Sequence, residues 1–186
     1  MKKIYFLLGE LSDDDLDWMI ATGRREEVVA GTVLIQEGKP IDTLHILLEG
    51  MLSVSIAALE GQPIAQLVSG AVVGEMSFVD SRPPSATVQA VENSLVLSIP
   101  RHQLIEKLNK DEGFASRFYR AIAVFLSTRL RGTVKYLGYA KGQHLIEDGM
   151  SEELSPEIID NVPLAQARFD WLLRRLKNPD QSLLPE

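Results

Sequence analysis

Cysteine is missing from the chain altogether, and histidine occurs only three times, at distant positions. The first absence excludes disulfides, thiolate nucleophiles and thiolate metal sites. It also fits a reducing compartment, so the cytoplasm is the expected location. The second, with no nucleophile–base motif and no metal-ligand spacing, leaves a catalytic role without support. Positive charge is short as well: the formal net charge is -7 and the isoelectric point is about 5.1. Such a balance argues against a surface that tracks nucleic-acid phosphates. Long apolar runs are lacking too. The run Ile4 to Leu8 is too short for a secretory core, and nothing approaches the ~20 residues of a membrane span.

What is present is the composition of a globular protein, 45% apolar and 24% charged over 186 residues. That length suits one ordinary domain with an appendage. Ser12-Asp13-Asp14-Asp15 opens a helix, with Ser12 as N-cap and Asp15 closing a shortened capping box. Consecutive side chains on a helix point apart, so the three aspartates are expected to be a solvated first turn rather than a metal cluster. From Arg25 to Ile99 the period shortens to two. About eight short, β-branched segments alternate with turn glycines such as Gly38, Gly50, Gly61 and Gly70, the pattern of a β-sandwich or barrel. Leu44-His45-Ile46-Leu47-Leu48 is the most continuous and should be an inner strand, with His45 a satisfied core or rim residue. After Pro100 the helical period returns, first around Leu104 and Leu108. A long stripe follows through Phe114, Phe118, Ile122, Phe125, Leu126 and Leu130 to Leu137. This stripe exceeds what a small roll covers alone, so the helix from Gly113 to Tyr139 is expected to pair with a second copy of itself. The tail from Lys141 is acidic and ends in a helix near Pro163, with Ala165, Phe169, Leu172, Leu173 and Leu176 on one face. That face is expected to dock on the roll, on the second copy or on another protein.

Within the strand region, Gly74 to Val88 stands out: glycine, acid, small residues and a stiff Arg82-Pro83-Pro84. Glycine at a strand end permits positive φ or close approach, and small side chains at Ser77, Ser85 and Ala86 leave backbone N–H groups uncovered for an anion. On local grammar alone a hairpin with a one-turn helix at its tip is the better fit.

Gly74-Glu75-Met76-Ser77-Phe78 through Ser85-Ala86-Thr87-Val88 resembles the phosphate-binding cassette of the cyclic nucleotide-binding domain family. Glu37-Gly38 through Leu44 to Gly50 and Val54 resembles that family's second landmark. From about Leu11 to Leu137 the chain is similar to the sensor half of catabolite activator-type regulators. The resemblance implies an α+β fold: an eight-stranded antiparallel β-roll (double-stranded jelly-roll) with an N-terminal helix and a long C-terminal helix. Residues 1–140 would form this unit, and 141–186 an acidic linker and amphipathic helix.

By the same resemblance, backbone N–H groups at Gly74 and the small residues take a cyclic phosphate. Glu75 accepts from the ribose 2′-hydroxyl, and an arginine ahead of Ser85-Ala86-Thr87 grips the phosphate. Gly74, Glu75, Met76, Ser77, Ser85, Ala86 and Thr87 match position by position, but Pro84 stands where the family has arginine. Losing one partner of such a charged pair costs about 2–5 kcal/mol, roughly 30- to several-thousand-fold in affinity. Arg82 is the candidate substitute, since residues two apart in an extended strand face the same way; in polyproline II it would face elsewhere. Aligning Arg129-Leu130 with the family puts Thr133 at a purine-contacting position. Sequence-specific DNA binding is not expected, because no recognition-helix pair is evident and acids outnumber basic residues from Lys141 onward. Two readings follow: a non-catalytic sensor whose ligand is cyclic AMP or cyclic GMP, with no other cofactor, or an adaptor that kept the fold and lost the ligand.

Overall fold

The computed structural model describes residues 3–139, 145–146 and 156–177. Eight antiparallel strands form two sheets. One runs β1 (Arg24–Val28), β8 (Ser94–Pro100), β3 (Thr43–Glu49), β6 (Val72–Val73). The other runs β2 (Val33–Ile35), β7 (Thr87–Ala90), β4 (Met51–Ser55), β5 (Pro63–Val68), and a ninth strand, β9 (Leu145–Ile146), adds parallel to the β5 edge. The expected β-roll is thus observed.

β3 lies between β8 and β6, which explains its continuous apolar run: both of its faces are covered. Leu44, Ile46 and Leu48 face a cluster shared with the helices, whereas Leu47 joins Val73 and Val96 against Val54, Leu67 and Val88 of the other sheet. His45 is buried beside Ser98, its register partner on β8, with Nδ1 2.9 Å from Ser98 Oγ, and Ser98 donates to Glu26 at 2.9 Å. It is a satisfied core histidine, as its place on an inner strand implies.

α2 (Asp13–Thr22) starts with the capping box read from Ser12 and Asp15: each side chain accepts the other's backbone N–H. The expectation that all three aspartates are solvated needs correcting at Asp15. This residue is 2% exposed and takes a two-pronged bond from Arg117, at 2.7 and 3.0 Å. Burial would raise its carboxyl pKa, but the bonds from Arg117 and Ser12 outweigh it and hold the group below the usual carboxylate range.

Two helices of the described chain were not foreseen in full. α1 (Ile4–Glu10) is a core helix whose Ile4, Phe6, Leu7 and Leu8 are buried. α6 (Pro156–Lys177) is longer than the sequence suggests, with Pro163 inside it rather than near its start. Pro156 supplies the first-turn proline instead, where a missing N–H costs nothing. The apolar face of α6 is spent within the chain: Ala165, Phe169, Leu172 and Leu176 sit in one buried cluster with α1, α2 and α5 (Glu112–Tyr139). Arg168 fastens it by donating to the carbonyls of Leu8 and Leu11, both at 2.7 Å, and to Asp13. The first half of the α5 stripe is likewise internal, with Phe114, Phe118, Ile122 and Phe125 all buried, whereas Leu130 is 65% exposed.

Candidate functional site

Gly74 ends β6 at φ +92°, and a Cβ there would lie 2.5 Å from Ile41 Cδ1 and 2.9 Å from the Thr43 carbonyl oxygen. Both backbone and space therefore demand glycine, whatever the site binds. The chain then turns into the short helix α3 (Met76–Asp80). Ser77 is buried and donates its hydroxyl to the Arg82 carbonyl at 3.0 Å, closing the loop on itself. Arg101, at the start of α4 (Arg101–Lys110), donates to the Ser77 carbonyl at 2.6 Å and lies 4.8 Å from the Phe78 ring centroid. The second half of the loop is tied to the β2–β3 turn. Gly38 N–H donates to the Pro84 carbonyl at 2.9 Å, and Glu37 N–H to the Thr87 hydroxyl at 3.1 Å. The Glu37-Gly38 landmark thus has a physical task, tying the second half of the loop to the β2–β3 turn.

Behind the loop lies a cavity of about 190 Å³. Ile35, Val54, Leu67 and Val88 of one sheet and Val72 and Val73 of the other give it apolar walls. Of the residues singled out in the sequence, Gly74, Glu75, Met76, Ser77, Arg82, Ser85 and Ala86 all border it, together with Pro84. Thr87 does not, being occupied with Glu37. Thr133 belongs to α5, and its side chain lies outside the described residues. Arg82 borders the cavity, but its guanidinium points to Asp80 at 3.3 Å and its side chain is 82% exposed.

One site residue escaped sequence reasoning. Arg129 of α5 reaches Glu75 with Nη1 3.3 Å from Oε1, and borders the cavity. Glu75 is buried at 4% exposure, where a carboxylate needs a cation or donors to stay ionised. The available signal was a cation one turn after Phe125 on a stripe otherwise apolar.

The glycine–acid loop thus lies over a cavity of the β-roll that the long helix α5 borders through Arg129. Residues 25–111 match the family described as Cyclic nucleotide-binding domain. Among solved structures, a cyclic nucleotide-binding domain from Methylobacillus flagellatus superposes with a TM-score of 0.65 at 22% identity, covering 77% of this chain and 85% of that one. The Catabolite Activator Protein of Thermus thermophilus superposes at 0.58 and 19% identity, covering 97% of this chain and 91% of that one. At these identities the structural likeness establishes the fold alone. An uncharacterized NTE family protein of Mycobacterium bovis is 28% identical over 120 residues, which are 64% of this chain but 20% of that protein. This chain therefore spans about a fifth of the length of that relative. Over residues 25–111 the chain thus matches the cyclic nucleotide-binding domain family, and its fold is like that of the Thermus thermophilus Catabolite Activator Protein. No helix among the described residues is long and apolar enough to cross a membrane.

Proposed function

We propose that this chain is a non-catalytic cytoplasmic regulator that senses a cyclic nucleotide, cyclic AMP or cyclic GMP, and signals through α5 and the tail. The observation that carries this reading is Glu75, buried at the cavity wall and met there by a cation from α5. A ribose hydroxyl donating to Glu75 would share that carboxylate with Arg129, so ligand and long helix would answer to one group. The missing cassette arginine is offset from nearby. Arg82 is held outward by a pair of exposed groups with Asp80, worth at most about 1 kcal/mol, so turning it toward a phosphate costs little. The cavity is smaller than the ~300–1,000 Å³ of typical small-molecule sites. It would take the sugar and phosphate, leaving the base at the mouth.

A homodimer is supported by the outer face of α5. Tyr119 and Leu130 are exposed there and Leu126 is half-buried between them, a spacing of seven and four that a second copy of α5 would cover. In this scheme residues 1–140 sense, and 141–186 transmit to a protein partner. A second reading, a ligand-free adaptor, is favoured by Pro84 and by the fact that Glu75 already has a counter-charge in Arg129. Calorimetric titration with cyclic AMP and cyclic GMP separates the two. Ligand at a hundred times its Kd adds about 2.7 kcal/mol, a rise of roughly 5–10 °C in Tm for a chain of this size. Neither heat nor thermal shift at millimolar nucleotide would leave the adaptor reading standing.

A further inference from the structure

We propose that Lys3 is a direct ligand of the nucleotide's phosphate, supplying from α1 the cation that the cassette lacks at Pro84; this rests on the sensor reading above. Lys3 borders the same cavity as Glu75, Arg82 and Arg129. It is the N-cap residue of α1 in helical conformation, at φ -62° and ψ -30°. Its position is fixed by its neighbour: Ile4 is fully buried, and its N–H donates to the Gly70 carbonyl at 2.8 Å. That bond fastens the start of α1 to the turn just ahead of Val72 and Val73, which form the cavity wall. The Lys3 ammonium lies 5.5 Å from the Phe125 ring centroid. Phe125 precedes Arg129 by one helical turn on the same face of α5, so the ammonium packs on a ring one turn ahead of the arginine that meets Glu75.

Among the described residues that border the cavity, Lys3, Arg82 and Arg129 outnumber Glu75 and Asp80, a balance suited to an anion. A lysine is a compact charge on a flexible stem, so it can follow a phosphate oxygen without the fork geometry that an arginine imposes. The same helix also seats the tail. Tyr5 lies edge-on to Phe169 at 6.3 Å, and the Leu8 and Leu11 carbonyls hold Arg168. A phosphate held by Lys3 therefore steadies α1 and, through it, α6.

The test compares cyclic AMP with adenosine, which lacks the phosphate, on the full chain and on Lys3→Gln and Lys3→Arg. Lys3→Gln should weaken cyclic AMP about 10- to 100-fold, the worth of one charge-assisted hydrogen bond. It should leave adenosine and the melting temperature unchanged, and Lys3→Arg should keep most of the affinity. Equal cyclic AMP affinity in the wild type and Lys3→Gln overturns the Lys3 assignment and spares the sensor reading. An equal loss for both ligands overturns it as well, showing a packing role. A wild-type chain that binds no cyclic nucleotide overturns both.

Discussion

Arg129→Ala tests the link between loop and long helix. The substitution takes from Glu75 a guanidinium 3.3 Å away, in a pair whose carboxylate side chain is 5% exposed and whose arginine is 39% exposed. Removing one partner of a fully buried pair costs about 3–5 kcal/mol. Here the arginine side is partly solvated, so water replaces some of the loss. The expected cost falls to about 1–3 kcal/mol, that of a charged group deprived of one bond. At roughly 2–4 °C per kcal/mol for a chain of this length, Tm should drop by about 2–12 °C. Glu75→Gln in the Arg129→Ala background should recover part of this, since an amide needs no counter-charge. The double-mutant cycle should then show a coupling of about 1–2 kcal/mol. Scanning calorimetry and urea denaturation read both numbers. A single mutant that melts within about 1 °C of wild type, with no coupling in the cycle, would refute the claim that α5 stabilises the loop through this pair.

Three further outcomes are expected. Gly74→Ala forces positive φ on a side chain and pushes a Cβ to 2.5 Å from Ile41 Cδ1, so urea denaturation should show a loss of about 1–3 kcal/mol or more. Asp15 has a folded pKa below its unfolded one because its bonds from Arg117 and Ser12 overcome burial. Its contribution is therefore complete above the unfolded value near ~3.9 and is lost as pH falls through the folded value. Tm should fall more steeply below about pH 4, and Asp15→Asn, less stable at neutral pH, should show a flatter acid limb in Tm against pH. Phe169→Ala opens a hole between α6 and α1, where the ring is fully buried, and should cost about 3–5 kcal/mol by denaturation. A loss below about 1 kcal/mol would mean that α6 does not rest on α1 in solution.

Period and turn chemistry made the roll legible. β3 read as an inner strand because Leu44, Ile46 and Leu48 serve one cluster while Leu47 serves the other. Ser12 and Asp15 announced α2, because capping is local in sequence. What stayed hidden depends on contacts that no window spans. Arg117 meets Asp15 across 102 positions, and Arg129 meets Glu75 across 54. The short run Ile4 to Leu8 is apolar on several sides with no side-chain cap, so it carries neither a period nor a boundary signal. The cassette residues were visible as types, but their duties were not. Thr87 turned out to hold Glu37, and Gly74 is required by the Thr43 backbone before any ligand is considered.

The substitution at Pro84 changes how a sensor of this kind would work, beyond how tightly it would bind. With an arginine inside the loop, the phosphate is gripped by the element that already surrounds it, and any helix movement is a later consequence. Here the cations bordering the cavity come from the loop's exposed edge, from α5 and from α1: Arg82, Arg129 and Lys3. An anion held by Lys3 would engage α1 directly, and α5 through the Glu75–Arg129 pair. A ligand shifts an equilibrium only by its differential affinity for two states; moving a population from 1:99 to 99:1 needs about 5.5 kcal/mol of difference. One charge-assisted bond from Lys3, at about 1.5–3 kcal/mol, would supply roughly a quarter to a half of that. If it forms only with α1 seated at the cavity, that share of the phosphate's binding energy becomes switching energy, at the expense of affinity. A tight-binding variant with arginine restored at Pro84→Arg should therefore bind more strongly and respond less. Hydrogen exchange at α1 and α6 with and without cyclic AMP would read this as smaller ligand protection in Pro84→Arg than in the wild type. Equal or larger protection in the variant would show that the helices follow the loop rather than the charge.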